Sequence, residues 1–219
     1  MFRSILRYFV LPAWRPVSGV RSLLADERGL ARALLLYLVL CLLYTATIFL
    51  GYLRGFGAPT VPFLSIDPER YYLWEAFFAS SVYFVVAIAF AGTAHLVSRA
   101  FGGAGSFEEI LAAYAVSTVL PTIITMWLPE TVFFASTLGP FADGVDPGVV
   151  VRVNGIRTVP PPWPPWLDLT RMLVGTVLWP LAISAVAIRD SHKISVVAST
   201  IAAVVAMLPV FGLVIVFIR

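Results

Sequence analysis

Charged side chains interrupt this chain only at intervals, and the apolar stretches between them approach the 20 or so residues that an α-helix needs to cross a hydrocarbon core. Five stretches meet that length, at about 33–53, 76–98, 107–129, 169–188 and 194–218. His95 is the one ionisable group inside the second. The uncharged segment 131–142 is too short to span by itself and is expected either to prolong a kinked third helix or to lie at the interface. Ahead of the first span, Phe2, Ile5, Leu6, Phe9 and Val10 recur at helical spacing, with Arg3, Ser4 and Arg7 falling elsewhere. This pattern predicts an amphipathic helix in the membrane plane, ended by Pro12 and Pro16, followed by a second short helix from Pro16 toward Gly29 with Val17, Val20 and Leu24 on one side. In the outer loop 130–168, Asn154-Gly155 separates two runs rich in β-branched residues, the pattern of a type I′ hairpin. The expected fold is therefore an all-α integral membrane bundle of five transmembrane helices. An N-terminal in-plane helix precedes it within residues 1–32, and a small extracytoplasmic β-hairpin joins the third and fourth spans of the membrane domain, 33–219.

Composition agrees. Of 219 residues, 60% are hydrophobic and only 12% charged, too few charges to solvate a globule of this length, and the mean hydropathy is +0.92. A soluble enzyme, a disordered chain and a disulfide scaffold are excluded, the last because Cys41 is the single cysteine. The net charge of +3 is too mild for a nucleic-acid binder and suits contact with anionic lipid. Divided by five spans, the 15 basic residues fall nine on the N-terminal side and six on the other, so the N-terminus is expected in the cytoplasm and the C-terminus outside. Arg7 interrupts the only candidate signal-peptide core, and the first span is expected to act as an uncleaved anchor.

The candidate chemistry is sparse. Ser106 and Glu109 fit a capping box that opens the third span after a glycine-rich turn containing Gly103 and Gly105. With His95 and Arg99 nearby, this turn is a candidate contact for a lipid headgroup or a partner, through the backbone donors of a helix N-terminus. His95 shares a stripe with Ala87, Ala91 and Arg99, a face suited to helix packing or to reaching the interface. Glu75, Glu130 and Asp168 flank spans and are expected in the wet interface; Cys41 is expected to be a buried small hydrophobe. Pro121, Pro180 and Pro209 fall inside spans and free a carbonyl each. Ser117, Thr118, Thr122, Thr125 and Ser184 lie near them and are the candidate lining of a polar groove. Phe2, Ile5, Phe9, Asn154, Gly155, Trp163 and Trp166 are candidate partner contacts, and Pro160 to Pro165 stiffen the return from the hairpin. No Walker loop, G-x-S-x-G, paired-His metal motif or cysteine pair is present, so no catalytic residue, cofactor or metal is expected.

The run Pro68-Glu69-Arg70-Tyr71-Tyr72-Leu73-Trp74-Glu75-Ala76-Phe77-Phe78 entering the second span, Gly102-Gly103 to Ser106-Phe107 before the third, and the final segment from Ala187 through Ser191 and Lys193 carry a resemblance. Together with the five spans they resemble the prokaryotic branch of the Yip (Ypt-interacting protein) family. The chain departs from the eukaryotic branch in having Asp168-Leu169-Thr170 in place of Asp-Leu-Tyr-Gly-Pro, and Ala113-Tyr114 in place of Gly-Tyr, so the Rab association of that branch is not carried over. The resemblance implies a non-enzymatic membrane protein that organises or assists other membrane components. Two functions follow. One is an adaptor or accessory subunit in a prokaryotic cytoplasmic membrane, with membrane lipids and a membrane-protein partner or a second copy as its company. The other is a lipid-handling or transport protein, scramblase-like, whose groove is lined by the proline-broken third to fifth helices.

Overall fold

The computed structural model describes residues 2–57, 64–153 and 156–217, with side chains for all of these except 2–7, 153 and 156. Nine α-helices and one two-stranded sheet are present among the described residues: α1 Phe2–Trp14, α2 Pro16–Leu24, α3 Gly29–Leu53, α4 Tyr71–Ala100, α5 Phe107–Thr122, α6 Leu128–Ser136, β1 Val151–Val153, β2 Ile156–Thr158, α7 Pro165–Met172, α8 Trp179–His192 and α9 Val196–Phe217. Among the described residues, five continuous helical rods are long and apolar enough to cross a membrane: Gly29–Leu53, Pro68–Ala100, Phe107–Ser136, Pro165–His192 and Val196–Phe217. The third consists of α5 and α6 joined by a π-helical turn, Ile123–Trp127, and the fourth of α7 and α8 joined by another, Leu173–Leu178. The uncharged stretch after 130 thus prolongs the third rod as far as Ser136.

Small side chains draw the rods together. α4 and α9 meet with Ala87, Ala91 and Ala94 on one and Ala202, Ala203 and Ala206 on the other, all fully buried. In a lipid solvent there is no hydrophobic gain in hiding one apolar helix against another, so close backbone approach through alanine supplies the contact energy. Ser199, in register with Ala203, is buried and donates to the Val196 carbonyl, a helix-packing role. Cys41 is buried in the same core.

The N-terminal residues form two helices packed onto the bundle. Pro12 does not end α1, which continues to Trp14, and α2 starts at Pro16, where the missing N–H costs nothing. The helices meet where Gly19 lies flush on the Pro12 backbone, leaving no space for a Cβ. Val20 is buried with Ala113, Ile183 and Ala187, Phe9 rests half-buried on the main core, and Trp14 meets Trp179 edge-on at 6.4 Å. Trp179 is roughly 20 Å along α8 from His192 by helical rise, so α1 leans along the bundle. Two ion pairs hold the segment: Arg21 Nε lies 2.7 Å from Asp190 Oδ2, and Arg32 pairs with Asp26, which also accepts the Tyr8 hydroxyl at 2.7 Å. The side chains of Phe2 and Ile5 lie outside those described.

At the other end the loops after α3 and α6 are stitched together. Gly139 N–H donates to the Arg54 carbonyl and Phe141 N–H to that of Gly55. Gly55 has φ 76° and faces the Ala142 backbone, a position only glycine fills without strain. The sheet pairs Val151 with Thr158 and Arg152 with Arg157, antiparallel, between the third and fourth rods. Its Asn154-Gly155 turn lies outside the described residues. Arg157 sits over the Phe141 ring at 5.7 Å, so the ribbon rests on the stitched loops.

The Tyr8 hydroxyl and the Arg28 backbone N–H hold the Asp26 carboxyl below its ordinary range. A lowered pKa means that the contact stabilises while Asp26 is ionised and is lost as pH falls through the folded-state value. We expect Asp26→Asn to speed tryptic cleavage at Arg21 and Arg28 at neutral pH. The wild-type protein should show the same loosening below about pH 3.8, the ordinary carboxylate value, as a rise in mobility of a nitroxide placed at Val17.

Candidate functional site

Prolines shape the centre of the hairpin half of the bundle. A helical Thr125 carbonyl looks for the N–H of residue 129, which is proline and has none. Arg171 Nη1 takes that carbonyl at 2.8 Å instead. The turn before it widens so that Leu128 N–H bonds Ile123 O, five residues back. In the fourth rod Trp179 N–H bonds Val174 O in the same way, and Pro180 leaves the Thr176 carbonyl without its helical donor. The two π-turns face each other. Gly175 abuts Thr125 so closely that a Cβ there would collide with the threonine side chain.

Beside this crossing lies a cavity of about 460 Å³. It runs from Tyr37, Leu40, Val86 and Tyr114 deep in the bundle, past Thr118, Thr122, Met126 and Thr176, to Glu130, Asp168 and Arg171 beneath the loops. Tyr114 and Glu130 are roughly 24 Å apart along the third rod by helical rise, so the cavity is long for its volume. Met207, Val210, Phe211 and Val214 of α9 close one side. The roof is aromatic: Phe56 contacts Phe133 and Phe134 at 5.2 and 4.8 Å between ring centres, and Trp163 contacts Phe133 at 5.8 Å. Trp163 is fixed from below, because its Nε1 donates to Asp168 Oδ1 at 2.7 Å and the Arg171 guanidinium lies 5.1 Å from its ring centre. Arg171 also pairs with Asp168 at 2.6 Å and with Glu130 at 3.7 Å.

Of the proposed groove residues, Thr118 and Thr122 line this cavity. Thr118 Oγ1 also donates to the carbonyls of Tyr114 and Ala115. Ser117 and Ser184 face each other at 3.2 Å, buried between α5 and α8, and Thr125 donates to the Pro121 carbonyl. Of the partner candidates, Trp163 turns inward, whereas Trp166 is 67% exposed on α7. Glu75 and Glu130 are not in a wet interface. Glu75 has no exposed surface and receives the Tyr44 hydroxyl at 3.4 Å, and Glu130 is buried against Arg171. Span-flanking position alone did not reveal this burial, because the α6 and α7 extensions carry protein past it. The tyrosines of the lining, Tyr37, Tyr44, Tyr72, Tyr83 and Tyr114, were also missed. The available signal was five tyrosines within apolar spans or at their ends, where a phenol needs a partner.

The glycine turn makes a second cluster at the N-terminal end. Ser106 and Glu109 form both bonds of the capping box, at 3.2 and 3.1 Å. Gly103 and Gly105 lie flush against His192, and Arg99 donates to the Gly103 carbonyl. The ring of His95 meets that of His192 at 5.3 Å. His95, Arg99, Gly103, Gly105 and Ser106 are thus brought together, around an imidazole that is 1% exposed. The turn's glycines serve to seat that imidazole, and the helix start is satisfied by its own side chains. Among the described residues, no group of three or more metal-ligating side chains is present.

The Yip1 domain family model matches residues 13–218, nearly the whole chain. This protein belongs to the Yip1 family. It is a multi-pass membrane protein with several apolar helices, and members of the family are not known as enzymes. No curated protein and no solved structure gives a significant match.

Gly175 fits against Thr125 where the third and fourth rods meet. Gly175→Ala is expected to destabilise the protein by about 1–3 kcal/mol through overpacking, read as a lowered unfolding midpoint in mild detergent. Thr125→Ala in the same chain should recover part of the loss.

Proposed function

We propose that this Yip1-family protein binds a single-chain amphiphile within its helical bundle and so handles lipid, rather than acting on it chemically. The observation that supports this reading is the long cavity walled by the proline-broken third and fourth rods and α9, apolar below and polar under an aromatic roof. Ligand sites in membrane bundles have this character, with apolar walls and a few convergent polar groups. Its volume corresponds to about fifteen groups of water size at ~30 Å³ each, the bulk of one acyl or prenyl chain and too little for a phospholipid's two. In this reading the protein sits in a prokaryotic cytoplasmic membrane with the N-terminus inside. The hairpin, the roof and Trp166 then lie at the outer surface, following the nine-to-six bias in basic residues.

Family membership supports a second role, as adaptor or accessory subunit. The faces of Tyr8, Val20 and Leu23 are already buried against the bundle. A protein partner or a second copy would therefore meet exposed surface such as Trp166 and Leu169 of α7.

Protein purified in nanodiscs from its native membrane should carry one single-chain amphiphile per chain, identified by extraction and mass spectrometry. Thr118→Trp, which fills the lower cavity, should reduce that occupancy by about tenfold, equivalent to 1.4 kcal/mol. A stoichiometric protein companion with no bound amphiphile would instead establish the adaptor role.

A further inference from the structure

Resting on the amphiphile reading, we infer that the bound molecule carries a positively charged head group, an amine or quaternary ammonium, seated under Trp163 against Glu130 and Asp168. Three observations converge on the hairpin end of the cavity. The first is charge. Among the described residues, Glu130, Asp168 and Arg171 are the charged ones on the lining, so this cluster carries one net negative charge when both carboxylates are ionised. Glu75 adds a further carboxyl behind Tyr44, itself a lining residue.

The second is that Arg171 is already committed. Its guanidinium donates to Asp168 through Nε at 2.8 Å and to the Thr125 carbonyl through Nη1 at 2.8 Å, and Nη2 lies 2.6 Å from Asp168 and 3.7 Å from Glu130. It stacks on Trp163 as well. The carbonyl it satisfies is the one that Pro129 leaves without a helical donor, so turning Arg171 toward an anionic ligand would orphan a backbone group inside the bundle. A carboxylate or phosphate head would meet two carboxylates and an occupied guanidinium, in surroundings where charge repulsion is poorly screened.

The third is the roof. Phe56, Tyr72, Phe133, Phe134 and Trp163 all line the cavity. An aromatic enclosure backed by carboxylates attracts a weakly hydrated cation through the ring quadrupoles, and excludes the water that would otherwise compete. The tail then runs down between Val86 and Val210 toward Tyr37 and Tyr114, where the described lining holds no charge.

The test uses three brominated sixteen-carbon amphiphiles that differ only in head group: trimethylammonium, alcohol and carboxylate. Each is titrated into full-length protein in nanodiscs of uncharged lipid, and quenching of Trp163 is read against Trp163→Phe as the blank for the five other tryptophans. The ammonium form is expected to bind at least about tenfold more tightly than the carboxylate. Asp168→Asn and, separately, Glu130→Gln should narrow that ratio, with retained binding of the alcohol form certifying that the cavity of each variant is intact. Equal binding of all three, or tighter binding of the carboxylate, overturns the head-group inference and leaves chain binding standing. Absence of Trp163-specific quenching by any of them overturns both.

Discussion

A proline inside a membrane helix leaves a carbonyl that water cannot reach, and the hairpin half of this bundle is organised around satisfying such groups. Pro129 deprives Thr125 of its donor, and Arg171 from the next rod supplies one. That bond ties the third rod to the fourth at this level, places a guanidinium where it also gathers Asp168 and Glu130, and gives Trp163 a cation to rest upon. The π-turns widen both rods at this level, and Gly175 lets the Thr125 side chain pack directly on the backbone of the fourth rod. Beside the two π-turns the third and fourth rods line one side of the cavity, and α3, α4 and α9 line the others.

The roof follows from the same cluster. An isolated two-stranded ribbon is marginally stable by itself. Here Arg157 lies on Phe141, and the return strand leads through a stiff proline run to Trp163, which is bonded to Asp168. The loop between the third and fourth rods is thereby an internal wall of the protein. Buried charge in this position is costly unless paired, and the pairing of Arg171 with two carboxylates meets that condition. The other end of the molecule is built on a different principle: ordinary capping at Ser106 and Glu109, glycines seating His192, and N-terminal helices held by Asp26 and Asp190.

The five spans, the capping box, the short N-terminal helices and a strand pair before the proline run are local properties, and the sequence by itself determined them. Hydrophobic length decides what crosses a membrane, and a serine three residues before a glutamate decides how a helix starts. The proline positions announced freed carbonyls, and Thr118 and Thr122, neighbours of Pro121, lie on the cavity lining. What satisfies a freed carbonyl is a question about another helix. For that reason Arg171 on Thr125, the inward turn of Trp163, the burial of Glu75 and Glu130, and the meeting of His95 with His192 belong to the tertiary structure. Each depends on the rotation and depth of one rod relative to another, which the apolar length of a span leaves open because lipid accepts any face of it.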